Sequence, residues 1–194
     1  MSLHVGASAQ PPVPATENRP EAILEALQQL AKRQRGPERH RQPVSIIGPG
    51  DAGEVECAAA YALAHALAAA GMVIICGGRG GVMAAAARGA TDAGGMAVGI
   101  LPEDDDANAN EWLSVAVPTG MGEMRNAIIA RSGLCLIAVG SNMGTLSEMA
   151  MGLKWGKPVF AMHGGIELPG AVSAGDVNDM LAKVLECLLA VRPG

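Results

Sequence analysis

The sequence predicts a doubly wound α/β domain, in which a mostly parallel sheet lies between two layers of helices. Three observations lead to this prediction. From Val44 onward, short apolar runs alternate with longer segments of helical pattern. The short runs are apolar at successive positions, which is typical of parallel strands buried on both faces. Glycine-rich loops follow several of these runs, as at the strand-to-helix turns of such sheets.

The individual elements follow in chain order. Strands are predicted over residues 44–47, 72–76, 96–101, 113–117, 134–139 and 158–162. Helices are predicted over residues 20–30, 54–70, 82–93, 123–132, 145–155 and 176–191. Gly71 and Gly94 end two of these helices, because glycine readily adopts the conformation of a helix C-terminus. Asp176 is expected to cap the start of the last helix.

The first part of the chain differs from the rest. We expect residues 1–42 to form an N-terminal leader with one helix, and residues 43–194 to form a single ligand-binding domain. The leader is rich in proline and carries six basic and four acidic side chains, whereas the rest of the chain is net acidic. Two interpretations stay open: the leader helix docks on a neighbouring subunit, or the leader is a basic arm that binds a partner.

Composition excludes several classes of protein. The chain has 194 residues, of which 49% are hydrophobic and 17% charged, so it can bury one sizeable core and is not a disordered chain. A net charge of −5 and an aromatic content of 2% argue against a nucleic-acid partner, which needs basic surface and stacking rings. No uninterrupted apolar run is long enough to predict a membrane span, and the N-terminus lacks the pattern of a secretory signal. We therefore expect a cytoplasmic protein.

No metal site is predicted. The four cysteines are far apart in the sequence and form no C-x-x-C pair, so neither a structural zinc site nor a disulfide framework is expected. The acidic run Asp104-Asp105-Asp106 lacks the ligand spacing of a calcium-binding loop and is interpreted as a solvated loop.

Four loops at the ends of predicted strands or starts of predicted helices indicate an anion-binding site. They contain residues 48–51, 77–81, 118–126 and 140–148. Helix starts present unpaired N–H groups and a partial positive charge, and glycines let a phosphate approach the backbone. Arg79 and Arg125 can add cationic forks, and Thr145 a hydroxyl donor. The residues expected to bind a phosphate-bearing or anionic ligand are Gly48, Pro49, Gly50, Gly77, Gly78, Arg79, Gly81, Met124, Arg125, Asn126, Gly140, Ser141, Gly144, Thr145 and Glu148.

Two common nucleotide motifs do not fit. Gly48-x-Gly50-x-x-Gly53 resembles a dinucleotide fingerprint, but no acidic residue follows the second strand, which argues against a nicotinamide dehydrogenase. The P-loop pattern is absent from the sequence.

Two roles stay open for each of two charged residues. Glu148 is either a helix cap or a general acid/base, and Arg125 either clamps a phosphate or pairs with Glu123.

Five motifs together resemble one superfamily over residues 44–164. They are Gly77-Gly78-Arg79-x-Gly81-Val82-Met83, Gly99-Ile100-Leu101-Pro102, Pro118-Thr119-Gly120-x-Gly122-x-x-Arg125-Asn126, Gly144-Thr145-x-x-Glu148 and Gly156-Lys157-Pro158-Val159. With them the chain resembles the SLOG superfamily of Rossmann-like proteins. The resemblance is greatest to its molybdenum cofactor carrier branch, which is related to the LONELY GUY phosphoribohydrolases.

The resemblance implies two functions. A carrier would bind a phosphate-bearing nucleotide or a molybdopterin-type cofactor without transforming it. A hydrolase would cleave the N-glycosidic bond of a nucleoside 5′-monophosphate, with Arg125 and Glu148 as catalytic residues. The chain departs from the hydrolase pattern, because Val139-Gly140-Ser141 stands where Pro-Gly-Gly would be and Asn126 replaces a lysine. Binding is therefore favoured over catalysis.

The resemblance also bears on cofactors and partners. It implies a bound molybdenum cofactor or AMP-like nucleotide, with no further cofactor required, and a homodimer or homotetramer. A lysine decarboxylase is excluded, because none of the four lysines is placed to form a pyridoxal-phosphate Schiff base. A structural or regulatory oligomer with a vestigial cleft is the third hypothesis.

Overall fold

A parallel sheet of seven strands forms the centre of the molecule, with helices on both faces. This arrangement was obtained as a computed structural model, which describes residues 20–36, 43–165 and 167–190. Every pair of neighbouring strands is parallel. The predicted doubly wound α/β/α class is confirmed, and the sheet is entirely rather than mostly parallel.

The strands and helices have the following bounds. The strands are β1 (Pro43–Ile47), β2 (Val73–Cys76), β3 (Met96–Leu101), β4 (Val115–Pro118), β5 (Leu136–Val139), β6 (Val159–Met162) and β7 (Val172–Ser173). The helices are α1 (Pro20–Gln34), α2 (Glu54–Ala69), α3 (Val82–Asp92), α4 (Asn126–Ser132), α5 (Met143–Lys154) and α6 (Val177–Ala190). A 3₁₀ helix, Gly122–Arg125, leads directly into α4.

The predicted elements are confirmed with small shifts at their ends. The Asp176 carboxylate accepts a hydrogen bond from the Asp179 N–H over 2.8 Å, so Asp176 caps α6 as predicted. The fourth strand begins at Val115 rather than Leu113, because the Leu113 side chain instead packs over Gly99 of β3. The prediction missed β7, an exposed strand of two residues, which is too short to give a pattern.

The strand order creates a crevice. Along the sheet the order is β4-β3-β2-β1-β5-β6-β7, so the chain leaves β1 towards one edge and leaves β5 towards the other. The loops that follow these two neighbouring strands therefore diverge. Ligands of open parallel sheets bind in the crevice that such a switch in strand order creates.

Two hydrophobic cores hold the three layers together. Buried side chains of α1, α2, α3 and α6 form the larger core with one face of the sheet. Buried residues of α4 and α5, including Ile129 and Met149, form the smaller core on the other face. The backbones of α2 and α3 approach so closely that a Cβ on Gly89 would overlap the Tyr61 carbonyl. No helix in the described ranges is long and apolar enough to cross a membrane.

The leader helix α1 packs on its own chain. Ile23, Ala26 and Leu30 are buried in the same core as α6. The Arg33 guanidinium donates hydrogen bonds to the carbonyls of Leu188 and Leu189 over 3.1 and 2.9 Å. The helix is therefore part of the packed molecule. The domain boundary at residue 42 stays a prediction, since residues 1–19 and 37–42 lie outside the described ranges.

We expect Leu30→Ala to lower the free energy of unfolding by about 2–5 kcal/mol, because it removes a buried side chain and leaves a cavity. Leu30 is 1% exposed and Leu24, on the same helix, is 57% exposed. Leu24→Ala is the matched control, with an expected change within about 0.5 kcal/mol. Urea unfolding measures both. Equal, small effects of the two substitutions would show that α1 contributes nothing to the core in solution.

Candidate functional site

A cleft of about 430 Å³ lies at the switch in strand order, between the loops after β1, β2 and β5 and the start of α4. Predicted site residues that line it are Gly48, Gly50, Gly77, Arg79, Arg125, Asn126, Gly144, Thr145 and Glu148. Ile47, Met83, Pro102, Gly122, Glu123 and Asn142 line it as well. The fold thus gathers segments that are up to about 100 residues apart in the chain.

The other predicted residues lie elsewhere. Pro49, Gly140 and Ser141 line a neighbouring cavity of about 320 Å³, which we call the second chamber. Its wall and that of the cleft share Asn142. The remaining predicted residues, Gly78, Gly81 and Met124, are not among the residues that line either cavity.

Several glycines are explained by contacts within the protein rather than by room for a ligand. A Cβ on Gly77 would lie 2.9 Å from Arg125 Nη2 and 2.6 Å from the Met83 sulfur. A Cβ on Gly48 would lie 2.6 Å from a Val82 methyl group. A Cβ on Gly50 would make an ordinary contact, 3.5 Å from the Met83 methyl group, and one on Gly144 a tight contact, 3.3 Å from Asn142 Oδ1. Gly77 therefore makes room for the Arg125 guanidinium, a role that spacing alone does not reveal.

The loop after β2 is fixed from outside the cleft. Asn110 donates from its side-chain amide to the carbonyls of Gly78 and Arg79, each over 3.0 Å. Its own backbone N–H also donates to the Gly78 carbonyl, over 2.9 Å. The Arg79 side chain is half exposed and forms an ion pair with Glu103. The hydrogen bond from Arg79 is the main cause that lowers the pKa of the Glu103 carboxyl group.

Arg125 supplies a buried positive charge at the base of the cleft. It is 8% exposed, and its Nε atom has no hydrogen-bond partner. Burial lowers the pKa of the guanidinium, and the nearby Glu148 opposes that effect. Within the described ranges Arg125 forms no ion pair, so the predicted alternative of a pair with Glu123 is not observed. Arg131, by contrast, stacks on the Trp155 ring at 5.6 Å.

Glu148 is a buried carboxyl group in the wall of the cleft. It is 7% exposed and lies in the second turn of α5. Burial raises its pKa to about 8, against the opposing attraction of Arg125. At neutral pH the side chain is therefore largely protonated, which makes it a hydrogen-bond donor.

The cap of α5 is Asn142, which settles one of the two alternatives for Glu148. Asn142 Oδ1 accepts hydrogen bonds from the Thr145 N–H over 2.9 Å and from the Thr145 hydroxyl over 3.0 Å. Glu148 is thus not the capping group. The Thr145 hydroxyl is already donated to Asn142 rather than directed at a ligand. The sequence analysis predicted that the helix begins at Thr145 and did not include Asn142 in the site. The preference of asparagine for the N-cap position could have identified Asn142.

Ser141 does not block the cleft. Its hydroxyl donates a hydrogen bond to the Gly164 carbonyl, and its side chain faces the second chamber. His163, also in the chamber wall, has a φ of +56°, which is uncommon for a residue other than glycine. No cluster of three or more metal-ligating side chains occurs among the residues that the structure describes.

The arrangement can bind an oxyanion. Two guanidinium groups and the N-terminus of α5 face one space, and each of these favours negative charge. The protonated Glu148 can donate a hydrogen bond or a proton to the same ligand.

Comparisons with known proteins identify the family and agree with the fold. The sequence model of the SLOG cluster4 family matches residues 41–186. The molybdenum cofactor binding protein of Rippkaea orientalis superposes with a TM-score of 0.71 at 31% identity, covering 76% of this chain and 97% of that one. The Moco carrier protein of Chlamydomonas reinhardtii superposes with a TM-score of 0.70 at 32% identity, covering 78% of this chain and 100% of that one. An uncharacterized Archaeoglobus fulgidus protein is 40% identical over 127 residues, which are 66% of this chain and 83% of that one.

The raised pKa of Glu148 predicts a pH-dependent stability. As pH rises from about 4.5 towards about 8, the carboxyl ionises in the unfolded chain but stays protonated in the folded one. The free energy of unfolding therefore falls across this window, by at most about 1.4 kcal/mol per pH unit. Glu148→Gln removes this dependence, so we expect the variant to gain stability relative to the wild type as pH rises.

Urea unfolding of both proteins at several pH values in this window measures the difference. Taking the difference cancels the titration of all other groups. A wild-type-minus-variant value that stays constant with pH would contradict the assignment of a protonated Glu148.

Proposed function

Since this chain belongs to the SLOG cluster4 family, we propose that it is a carrier-type protein that binds a phosphate-bearing nucleotide or a molybdopterin-type cofactor without transforming it. The phosphate group lies against Arg125 at the base of the cleft. The similarity to proteins described as binding or carrying the molybdenum cofactor supports this class of cargo.

The observation that carries the proposal is the buried Arg125, whose Nε atom has no hydrogen-bond partner. Removing a guanidinium from water costs several kcal/mol unless a counter-ion or hydrogen bonds replace the water. The Arg125 Nε atom has no hydrogen-bond partner within the protein. An anionic ligand in the cleft would supply both, through charge-assisted hydrogen bonds. A molybdopterin-type cargo fits this donor set because it carries a phosphate, and so does a nucleotide.

Arg79 is the second cation available to the ligand. Its side chain is half exposed, whereas its ion-pair partner Glu103 is 18% exposed and has a buried Oε2 atom without a hydrogen-bond partner. A phosphate would therefore bind the exposed part of the Arg79 guanidinium without replacing Glu103. The N-terminus of α5, at Met143 and Gly144, adds backbone N–H groups that have no partner within the helix.

We further propose that the protein is a homodimer or homotetramer in the cytoplasm. Exposed apolar side chains at the rim of the site support self-association. Met124 is 72% exposed, and Met143 is exposed as well. Large exposed apolar groups that cluster on a surface are typical of interaction sites.

Arg125→Gln tests the carrier proposal. We expect it to weaken the binding of ribose 5-phosphate and of GMP by about tenfold to a hundredfold, because hydrogen bonds to charged groups contribute about 1.5–3 kcal/mol. We expect the stability of the unliganded protein to be kept or raised, since an uncompensated buried charge is removed. Isothermal titration calorimetry measures binding, and thermal unfolding measures stability.

Arg131→Gln is the matched control, because it removes an arginine of α4 that stacks on Trp155 and does not line the cleft. Its binding constants should equal those of the wild type. Equal binding by wild type and Arg125→Gln would overturn the proposed site.

Glu148 supports a second candidate, a nucleoside 5′-monophosphate phosphoribohydrolase. A protonated carboxyl in the cleft can act as a general acid towards the departing base, while water adds to the ribose carbon. The products would be the free base and ribose 5-phosphate. The burial of Glu148 and its raised pKa favour this role.

Incubation with AMP decides between the two candidates. We expect AMP to remain intact under conditions where it binds, with no free adenine detected by chromatography. Release of adenine by the wild type, lost in Glu148→Gln, would replace the carrier proposal by the hydrolase.

A further inference from the structure

The second chamber differs from the cleft in that no lysine or arginine is among its lining residues. The cleft is lined by the two arginines Arg79 and Arg125 together with Glu123 and the protonated Glu148. The charged side chains in the described lining of the chamber are Asp51 and Glu56, with His163 beside them and no lysine or arginine. Asn142 lies in both walls, so the chamber adjoins the cleft at this residue.

Glu56 is held at the junction of two elements. A Cβ atom added to Gly53 would lie 3.1 Å from the Glu56 Oε2 atom. A Cβ atom added to Gly140 would lie 3.3 Å from the Glu56 Cγ atom. The carboxylate is therefore placed between the first turn of α2 and the loop after β5. Gly53, the N-cap of α2, offers no capping side chain, and the partial positive charge of a helix start favours a carboxylate there.

The opposite wall of the chamber is shaped by the loop after β6. The Ser141 hydroxyl donates to the Gly164 carbonyl, which ties the loop after β5 to this one. His163 is the one residue other than glycine with a positive φ in the described ranges. Such backbone strain persists only where the surroundings hold it, so the wall is defined rather than loose.

A phosphate does not suit this chamber, because two carboxylates would repel it. A ring that presents two adjacent N–H donors does suit it, since a carboxylate accepts two parallel hydrogen bonds. The 2-amino-4-oxo edge of a pterin and the 2-amino-6-oxo edge of guanine have this pattern, because each places a ring N–H beside the amino group. Adenine instead presents a ring nitrogen acceptor next to its amino group.

We propose that the second chamber binds, through Glu56, the edge of the ligand's heterocycle that carries a ring N–H beside the 2-amino group, while the phosphate lies against Arg125. The inference rests on the proposed function and specifies it. The cargo is a phosphorylated pterin or guanine compound rather than an adenine nucleotide.

Calorimetric titration of GMP, AMP and ribose 5-phosphate tests this assignment. The two nucleotides share the sugar phosphate and differ in the edge of the base. We expect the wild type to bind GMP about tenfold more tightly than AMP, because about one charge-assisted hydrogen bond is gained with GMP and lost with AMP. We expect Glu56→Gln to abolish this preference and to leave the affinity for ribose 5-phosphate unchanged. Glu54→Gln, in the same turn of α2 but outside the chamber wall, should behave like the wild type.

Two results would overturn the inference while leaving the proposed function intact. One is equal affinity for GMP and AMP, with ribose 5-phosphate binding still dependent on Arg125. The other is a preference for GMP that survives in Glu56→Gln. Failure of all three compounds to bind the wild type would overturn the proposed function and the inference together.

Discussion

The burial of one guanidinium group constrains the whole candidate site. Arg125 lies at the base of the cleft, largely removed from water and with its Nε atom unpartnered. Its position depends on Gly77, whose missing side chain leaves room for the guanidinium beside Met83. It also holds the pKa of Glu148 below the value that burial alone would give. A group so expensive to desolvate is retained where it has a use, and an incoming anion is the partner that the protein itself does not supply.

The sheet explains why these residues meet. Neighbouring parallel strands β1 and β5 send the chain in opposite directions, so the loops after them open a crevice. Arg125 comes from the start of α4 and Glu148 from α5, the two helices that cover the same face of the sheet. The loop with Arg79 reaches the crevice from β2 and is anchored by Asn110. Fold and site are therefore consequences of one topology.

Much of this could be predicted from the sequence, because parallel strands buried on both faces give unmistakable apolar runs. The strands after Val44 and the cluster of glycine loops at their ends are recovered on that basis. What escaped prediction depends on tertiary contacts. Nothing in the local pattern says that Gly77 faces Arg125, that the Thr145 hydroxyl is donated to Asn142, or that α1 packs on α6. The two residues of β7 are defined only by their pairing with β6.

The most direct test of an anion site at Arg125 is a crystal structure of the protein with bound ribose 5-phosphate. If Arg125 provides the site, the phosphate oxygens will lie within hydrogen-bond distance of its guanidinium and of the backbone N–H groups at the start of α5. A phosphate found elsewhere on the molecule, with Arg125 covered by the protein's own side chains in every subunit, would contradict it.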